Sequence, residues 1–174
     1  MTDGTLAVRQ FAPFSAMARR GWAAALLSLA ADQAFKWWML AVYDIGSRGI
    51  VRVTSFFDVV LVWNRGISYG WFAQHGDAGR WLLIGLSALV ILLLIGWLGL
   101  SRRPVANLGL GLIIGGAIAN VIDRVVHGAV ADFFSFHALG YSWYVFNIAD
   151  VAIVAGVAVL LYDCWLEGRG ARDE

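Results

Sequence analysis

The sequence predicts a mainly α-helical integral membrane protein: four transmembrane helices, with short strands and an aromatic interfacial loop on one membrane surface. Three observations predict this class. Of 174 residues, 60% are apolar and 14% charged, with a mean hydropathy of +0.72, a balance soluble domains rarely reach. Four apolar runs have roughly the 20 residues a helix needs to cross a bilayer core. The two long connections between them are rich in β-branched and aromatic residues rather than in the polar residues of solvated loops. The length leaves no room for a separate soluble domain, so residues 1–174 are read as one membrane-embedded unit.

The first span, 18–42, follows Arg9, Arg19 and Arg20 and continues past Asp32 and Lys36 into Trp37 and Trp38. It reads as a signal anchor, because a cleavable signal peptide has a shorter apolar stretch and a small-residue cleavage site. The second, 81–100, ends at Ser101-Arg102-Arg103-Pro104, a basic and helix-breaking punctuation. The third, 105–126, carries Gly111 and Gly115 at GxxxG spacing, which permits close helix contact in lipid. The fourth, 148–165, precedes a charged tail containing Glu167, Arg169, Arg172, Asp173 and Glu174.

Four spans place both termini on one side. Arg9, Arg19, Arg20, Arg102, Arg103, Arg169 and Arg172 lie on that side, against Arg48, Arg52, Arg65 and Arg80 opposite, so the termini are expected in the cytoplasm. Trp37, Trp38, Trp71 and Trp81 fall where a belt at the far interface is expected. Segments 43–80 and 127–147 then lie outside the cytoplasm. Ile50 to Trp63 is largely β-branched and aromatic, which favours strands lying on the membrane surface. Val126 to Asn147 is too aromatic for a solvated loop and too interrupted by Gly128 and Gly140 for a span, so it is expected at the interface.

A net charge of +1 with no basic block gives no nucleic-acid footprint. The single Cys164 excludes an intrachain disulfide, and no Cys/His cluster has metal-ligand spacing, so neither a metal nor another cofactor is expected.

Ionisable groups inside a bilayer are costly and mark functional sites by default. Here they are Asp32, Lys36, Asp123, Arg124, Asp132 and Asp150, accompanied by Asn64, Asn120 and Asn147, and the topology gathers them toward one layer. Asn147 and Asp150 stand at N-cap and N3 of the fourth helix, so Asp150 reads both as a capping residue and as a site carboxylate. Asp132 sits between Val130-Ala131 and Phe133-Phe134, where desolvation raises a carboxyl pKa. Two carboxylates close together cannot both ionise cheaply and share a proton, the state aspartic peptidases use. The ionised member takes a proton from water, and the protonated member hydrogen-bonds the scissile carbonyl.

Asn120, Asp123 and Arg124 share one helix face at i, i+3 and i+4, either as a snorkelling ion pair with a buried amide or as part of the site. Asp32 and Lys36 are i, i+4, and both a structural ion pair and a substrate-facing role stand. Asn64 before Arg65-Gly66 is equally a turn residue.

Other schemes fare worse. Gly66-Ile67-Ser68-Tyr69-Gly70 fits G-x-S-x-G, but no apolar helix follows directly as a nucleophile elbow requires. His127 and His137 flank Asp132 without metal-binding spacing. Tyr162-Asp163 is similar to a motif of presenilin-like proteases, but the partner G-x-G-D is absent and the pair lies at the cytoplasmic end. A small proton-relay or transport protein using Asp32, Asp123, Asp132 and Asp150 is the alternative, and a purely structural protein the third. Clustering of the charges toward one surface counts against conduction, which needs polar groups on both sides.

Five ordered blocks resemble the lipoprotein signal peptidases. Asp32-Gln33-Ala34-Phe35-Lys36 is similar to D-x-x-x-K, and Asn64-Arg65-Gly66-Ile67-Ser68-Tyr69-Gly70 to N-x-G-x-A-F-G. The stretch from Gly115-Gly116 through Asn120 to Asp123-Arg124 resembles G-G-x-x-x-N-x-x-D-R. Val130-Ala131-Asp132-Phe133 resembles V-x-D-F, and Phe146-Asn147-Ile148-Ala149-Asp150 resembles F-N-x-A-D. The resemblance implies four transmembrane helices with a small extracytoplasmic β-sheet, Asp132 and Asp150 as the catalytic pair, and Asn64, Asn120, Arg124 and Asn147 lining the substrate site. Gly66, Asp123, Asp32 and Lys36 take supporting places. It also implies a prolipoprotein substrate whose cysteine carries diacylglycerol, cleavage before that cysteine, inhibition by globomycin, and a monomer in the bacterial inner membrane with its site at the outer leaflet. The sequence departs from the pattern at Ser68-Tyr69, in place of Ala-Phe, and at Phe35, where Ser or Thr is common.

Overall fold

The computed structural model describes residues 11, 13, 15–66, 77–138 and 141–170. Trp71, Gly140, the Ile67 to Gly70 part of the G-x-S-x-G stretch, and the terminal residues Arg9, Arg172, Asp173 and Glu174 lie outside them.

Helix α1, Ala16–Trp37, starts where the Ser15 side chain accepts the Ala18 N–H at 3.2 Å. It runs on through a π-helical turn, Trp38–Val42, so the first predicted span is one rod that changes winding at its C-terminal end. A four-residue helix α2, Ile45–Arg48, leads into the hairpin of β1, Val51–Arg52, and β2, Phe57–Asn64. Helices α3, Asp77–Leu100, and α4, Pro104–His127, follow. Strands β3, Val130–Ala138, and β4, Tyr141–Ser142, precede α5, Ile148–Gly170. Each predicted span is found as a long helix, and α5 extends past its predicted end at 165.

Among the described residues, three helices, 78–100, 104–127 and 148–169, are long and apolar enough to cross a membrane by length and composition. The rod of α1 and its π-turn has the length, but it carries Arg19, Arg20, Asp32 and Lys36. The latter two are buried at 0% and 3% exposure, so their charges face protein rather than lipid.

Helix α4 is the centre of the bundle, with half of its apolar window buried against 17% for α3 and α5. The GxxxG pair explains the approach of α1: a Cβ on Gly111 would strike the Gly21 carbonyl, and one on Gly115 would strike Ala25 and Ser28. At the opposite end of the bundle from the sheet, Arg103 pins the start of α4 to α5, pairing with Asp163 at 3.0 Å and with Glu167. Asp163, half of the Tyr162-Asp163 motif, is thus engaged in a helix-end ion pair.

The strands form one antiparallel sheet in the order β1-β2-β3-β4. The connection expected at the interface therefore supplies two strands, because its aromatic residues find partners on β2. Phe57 pairs with Phe136 and Val59 with Phe134, across a register irregularity before Val62 and Asp132. Phe133 is fully buried, edge-on to Phe35 of α1 at 5.6 Å, and packs with Met39, Ile45 and Ala131. This cluster docks the sheet against the C-terminal end of α1 and brings β3 beside the N-terminus of α5. Of the two histidines flanking Asp132, His137 pairs with Asp58 at 3.0 Å, while His127 lies 5.2 Å from the Trp63 ring.

Candidate active site

Two carboxylates share the partner Asn147 where β3 passes the start of α5. Asp150 is held by a reciprocal capping box: its N–H donates to Asn147 Oδ1 at 2.9 Å, and its Oδ2 accepts the Asn147 N–H at 3.3 Å. Its Oδ1 accepts from Asn120 Nδ2 at 3.0 Å. Asp132, 2% exposed on β3, accepts from Asn147 Nδ2 at 2.7 Å through Oδ1 and from Asn64 Nδ2 at 3.1 Å through Oδ2. Asn147 also donates to Asn120 Oδ1 at 3.2 Å. The capping reading of Asp150 is seen in this box, and the cap fixes the carboxylate within the cluster.

Burial drives the Asp132 pKa up from 3.8 to about 6, opposed by the Asn64 hydrogen bond, reinforced by the Asp150 charge, and opposed again by Asn147 and Lys36. The environment thus favours the proton on Asp132.

Asn64 is a turn residue that also reaches Asp132: its Oδ1 accepts the Gly66 N–H at 3.1 Å while its amide donates to Asp132. Gly66 has φ 142, a backbone that favours glycine, and it shapes this turn rather than touching the carboxylates. Arg124 donates from Nη1 to the Asn120 carbonyl at 3.3 Å and lies within the field of Asp150, Asp132 and Asp123. Its buried Nε has no hydrogen-bond partner among the described residues.

Asp32, Lys36 and Asp123 form a second, adjoining cluster. Lys36 Nζ sits 2.8 Å from Asp32 and 2.7 Å from Asp123, so the predicted i, i+4 pair is one half of a triad. Lys36 also donates to Asn120 Oδ1 at 3.5 Å, which links the clusters. Gln33 completes it, donating to Asp123 Oδ1 at 3.0 Å. Its partnership depends on α4, so spacing within α1 gives no signal for it. The backbone donors Ala131 and Ala149 also escape a reading of side chains: they donate to Asp123 at 3.1 Å and Asp32 at 2.9 Å.

The sequence model of the family described as Signal peptidase (SPase) II matches residues 24–166. A lipoprotein signal peptidase of Nitrobacter hamburgensis is 55% identical over 158 residues, covering 88% of this chain and 96% of that protein. One from Rhodopseudomonas palustris is 54% identical over 149 residues, covering 83% and 91%. A solved structure described as a bacterial membrane enzyme, obtained by the in meso method, superposes with a TM-score of 0.71 at 22% identity, covering 90% of this chain and 97% of its own. That likeness establishes the same fold. With more than half of its residues shared with one such peptidase over nearly the whole chain, and the family's model spanning helix α1 to helix α5, the chain belongs to the signal peptidase II family.

Proposed function

We propose that the protein removes the signal peptide from diacylglyceryl-modified prolipoproteins, cutting before the lipidated cysteine, with Asp132 and Asp150 as an aspartic catalytic pair. Family membership supports the peptidase activity. The observation that carries the residue assignment is the single Asn147 side chain bonded to both Asp132 and the start of Asp150's helix turn, which keeps the two carboxylates in one cluster. Asp150 takes a proton from water. Protonated Asp132 hydrogen-bonds the scissile carbonyl while the water oxygen attacks, and the pair then returns a proton to the leaving nitrogen. Arg124, with hydrogen-bonding capacity left over, and the amides of Asn64 and Asn120 are suited to the substrate backbone. Gly66 shapes the turn beside them.

The protein resides in the bacterial cytoplasmic membrane, with both termini in the cytoplasm and the site at the outer leaflet. The basic residues Arg19, Arg20, Arg102, Arg103 and Arg169 at the opposite end of the helices support this orientation. Lipid concentrates the substrate at that depth, each buried CH₂ of an acyl chain contributing about 0.8 kcal/mol. A monomer suffices, since both carboxylates come from one chain, and globomycin is expected to compete with the substrate. A proton-relay role draws no support from Asp32 and Asp123, which are both paired with Lys36.

The test is cleavage of a diacylglyceryl-modified prolipoprotein peptide by the purified protein in detergent or lipid. Asp132→Asn and Asp150→Asn are each expected to lose turnover, and the unlipidated peptide to be cut far more slowly. Full activity in either variant overturns the assignment, and equal rates for the two peptides overturn the substrate class.

A further inference from the structure

The residue immediately before each carboxylate of the pair is tied by its backbone to the same buried ion cluster. Ala131, preceding Asp132, donates its N–H to Asp123 Oδ2 at 3.1 Å. Ala149, preceding Asp150, donates its N–H to Asp32 Oδ1 at 2.9 Å. Lys36 joins the two acceptors, at 2.8 Å from Asp32 and 2.7 Å from Asp123. We propose that Asp32, Lys36 and Asp123 form a positioning clamp that sets the separation of Asp132 and Asp150 by holding the peptide groups just before them.

Geometry and cost favour this over a role as a mere helix fastener. Asp32, Lys36 and Asp123 are all at or below 3% exposure, and buried charges are expensive even when paired. Small residues already bring α1 and α4 together, through Gly111 and Gly115, without charged help. Close packing between these helices does not relate β3 to α5; backbone bonds of Phe133 and Phe134 with Phe146 align the strand with the residue before Asn147, and what remains to be set is the first turn of α5 beyond it. The clamp sets that turn from two sides. Asp32 reaches the N2 amide of α5, adding a helix-terminus contact, while Asp123 takes an amide at the start of β3. Four ionic or charge-assisted contacts run in series between the peptide groups, each stronger than a neutral hydrogen bond. Displacement of a catalytic group by about 1 Å costs on the order of 10²-fold in rate, so the clamp acts on turnover more than on substrate binding.

This inference rests on Asp132 and Asp150 being the catalytic pair, and the experiment separates the two claims. The full-length protein is assayed on a diacylglyceryl-modified prolipoprotein peptide, at a temperature where every variant is folded by thermal melting. Asp123→Leu removes the acceptor for both Lys36 and Ala131. It is expected to lower kcat on the order of 10²-fold, with KM within about twofold. Asp123→Asn keeps an amide oxygen for the Ala131 N–H, and Gln33 can turn its own oxygen toward the new amino group. This variant is expected to recover at least tenfold of the lost kcat. If Asp123→Leu does not accumulate folded, Asp32→Ala and Asp32→Asn make the same comparison at the Ala149 arm. A kcat within threefold of wild type in the variant lacking the acceptor, a loss expressed mainly in KM, or no recovery with asparagine each overturns the clamp. Asp132→Asn and Asp150→Asn are run alongside. If both are inactive, failure of the clamp leaves the catalytic pair standing; if either is active, the pair itself falls.

Discussion

The Asn147 Nδ2 atom donates to Asp132 Oδ1 at 2.7 Å while the oxygen of the same side chain caps the N–H of Asp150 at 2.9 Å. One amide therefore serves folding and chemistry at once, and two substitutions separate these tasks. Serine is as good an N-cap as asparagine, and losing a cap costs about 1 kcal/mol. Its hydroxyl cannot cap the helix and also reach Asp132 and Asn120. Asn147→Ser is expected to be more stable than Asn147→Ala by roughly that amount, yet both lose turnover on the order of 10²-fold. Thermal melts and kcat on the same preparations check this, and recovery of kcat in the serine variant in step with its stability would remove Asp132 from the role given to Asn147.

Asp132 also costs the fold stability above acidic pH. Its folded pKa of about 6 exceeds the ordinary 3.8, so the folded state holds its proton more tightly than the unfolded chain. The native state is then favoured by low pH, and stability falls as pH rises between these values. At 1.36 kcal/mol per pKa unit the loss is about 3 kcal/mol, complete above about pH 6. Asp132→Asn cannot ionise. The stability of wild type relative to this variant is expected to decline by about that amount between pH 4 and pH 7, and a difference independent of pH would contradict the burial argument.

Asn64 opposes that rise by donating to the ionised form of Asp132 at 3.1 Å. Asn64→Ala removes the donor, so protons are held more tightly and the pH–activity profile of the coupled pair moves to higher pH. Activity across pH 5 to 9, compared with wild type, reads the direction. A profile displaced toward acid would mean that the amide contacts the neutral carboxyl instead.

What could be read from the sequence was local. The Asn147/Asp150 cap and the Asp32/Lys36 pair lie within four residues along one helix, where period and capping chemistry fix the geometry in advance. The GxxxG pair on α4 announced a close helix contact, although not that α1 would fill it. The strand character of 50–63 followed from β-branched residues, whereas β3 and β4 hid in a stretch whose aromatics suit an interface equally well. Only pairing with β2 decides between the two. The second arm of Lys36, the Gln33 contact and the amide of Ala149 join segments some 90 to 120 residues apart, and no periodicity within either segment encodes them.

Gly116 ties helix packing to the site. A Cβ there would meet the Ala149 carbonyl at 2.5 Å and Ile153 at 2.9 Å, so alanine forces α5 to move at the turn that carries Asp150. Backbone cannot yield as a flexible side chain does, and overpacking of this kind costs about 1–3 kcal/mol. The displacement also lengthens the Asn120 to Asp150 bond, now 3.0 Å, and weakens the grip of Asp32 on Ala149. Gly116→Ala is therefore expected to lower both the melting temperature and kcat, the latter by at least tenfold if α5 shifts by a sizeable fraction of an ångström. Gly96→Ala on α3 is the matched control, since nothing lies within 4 Å of its added Cβ and alanine is the better helix former. It should leave turnover unchanged and the melting temperature equal or higher. A Gly116→Ala protein with wild-type kcat would mean that the start of α5 is not held by its contact with α4, and that the capping box and the Asp32 bond alone place Asp150.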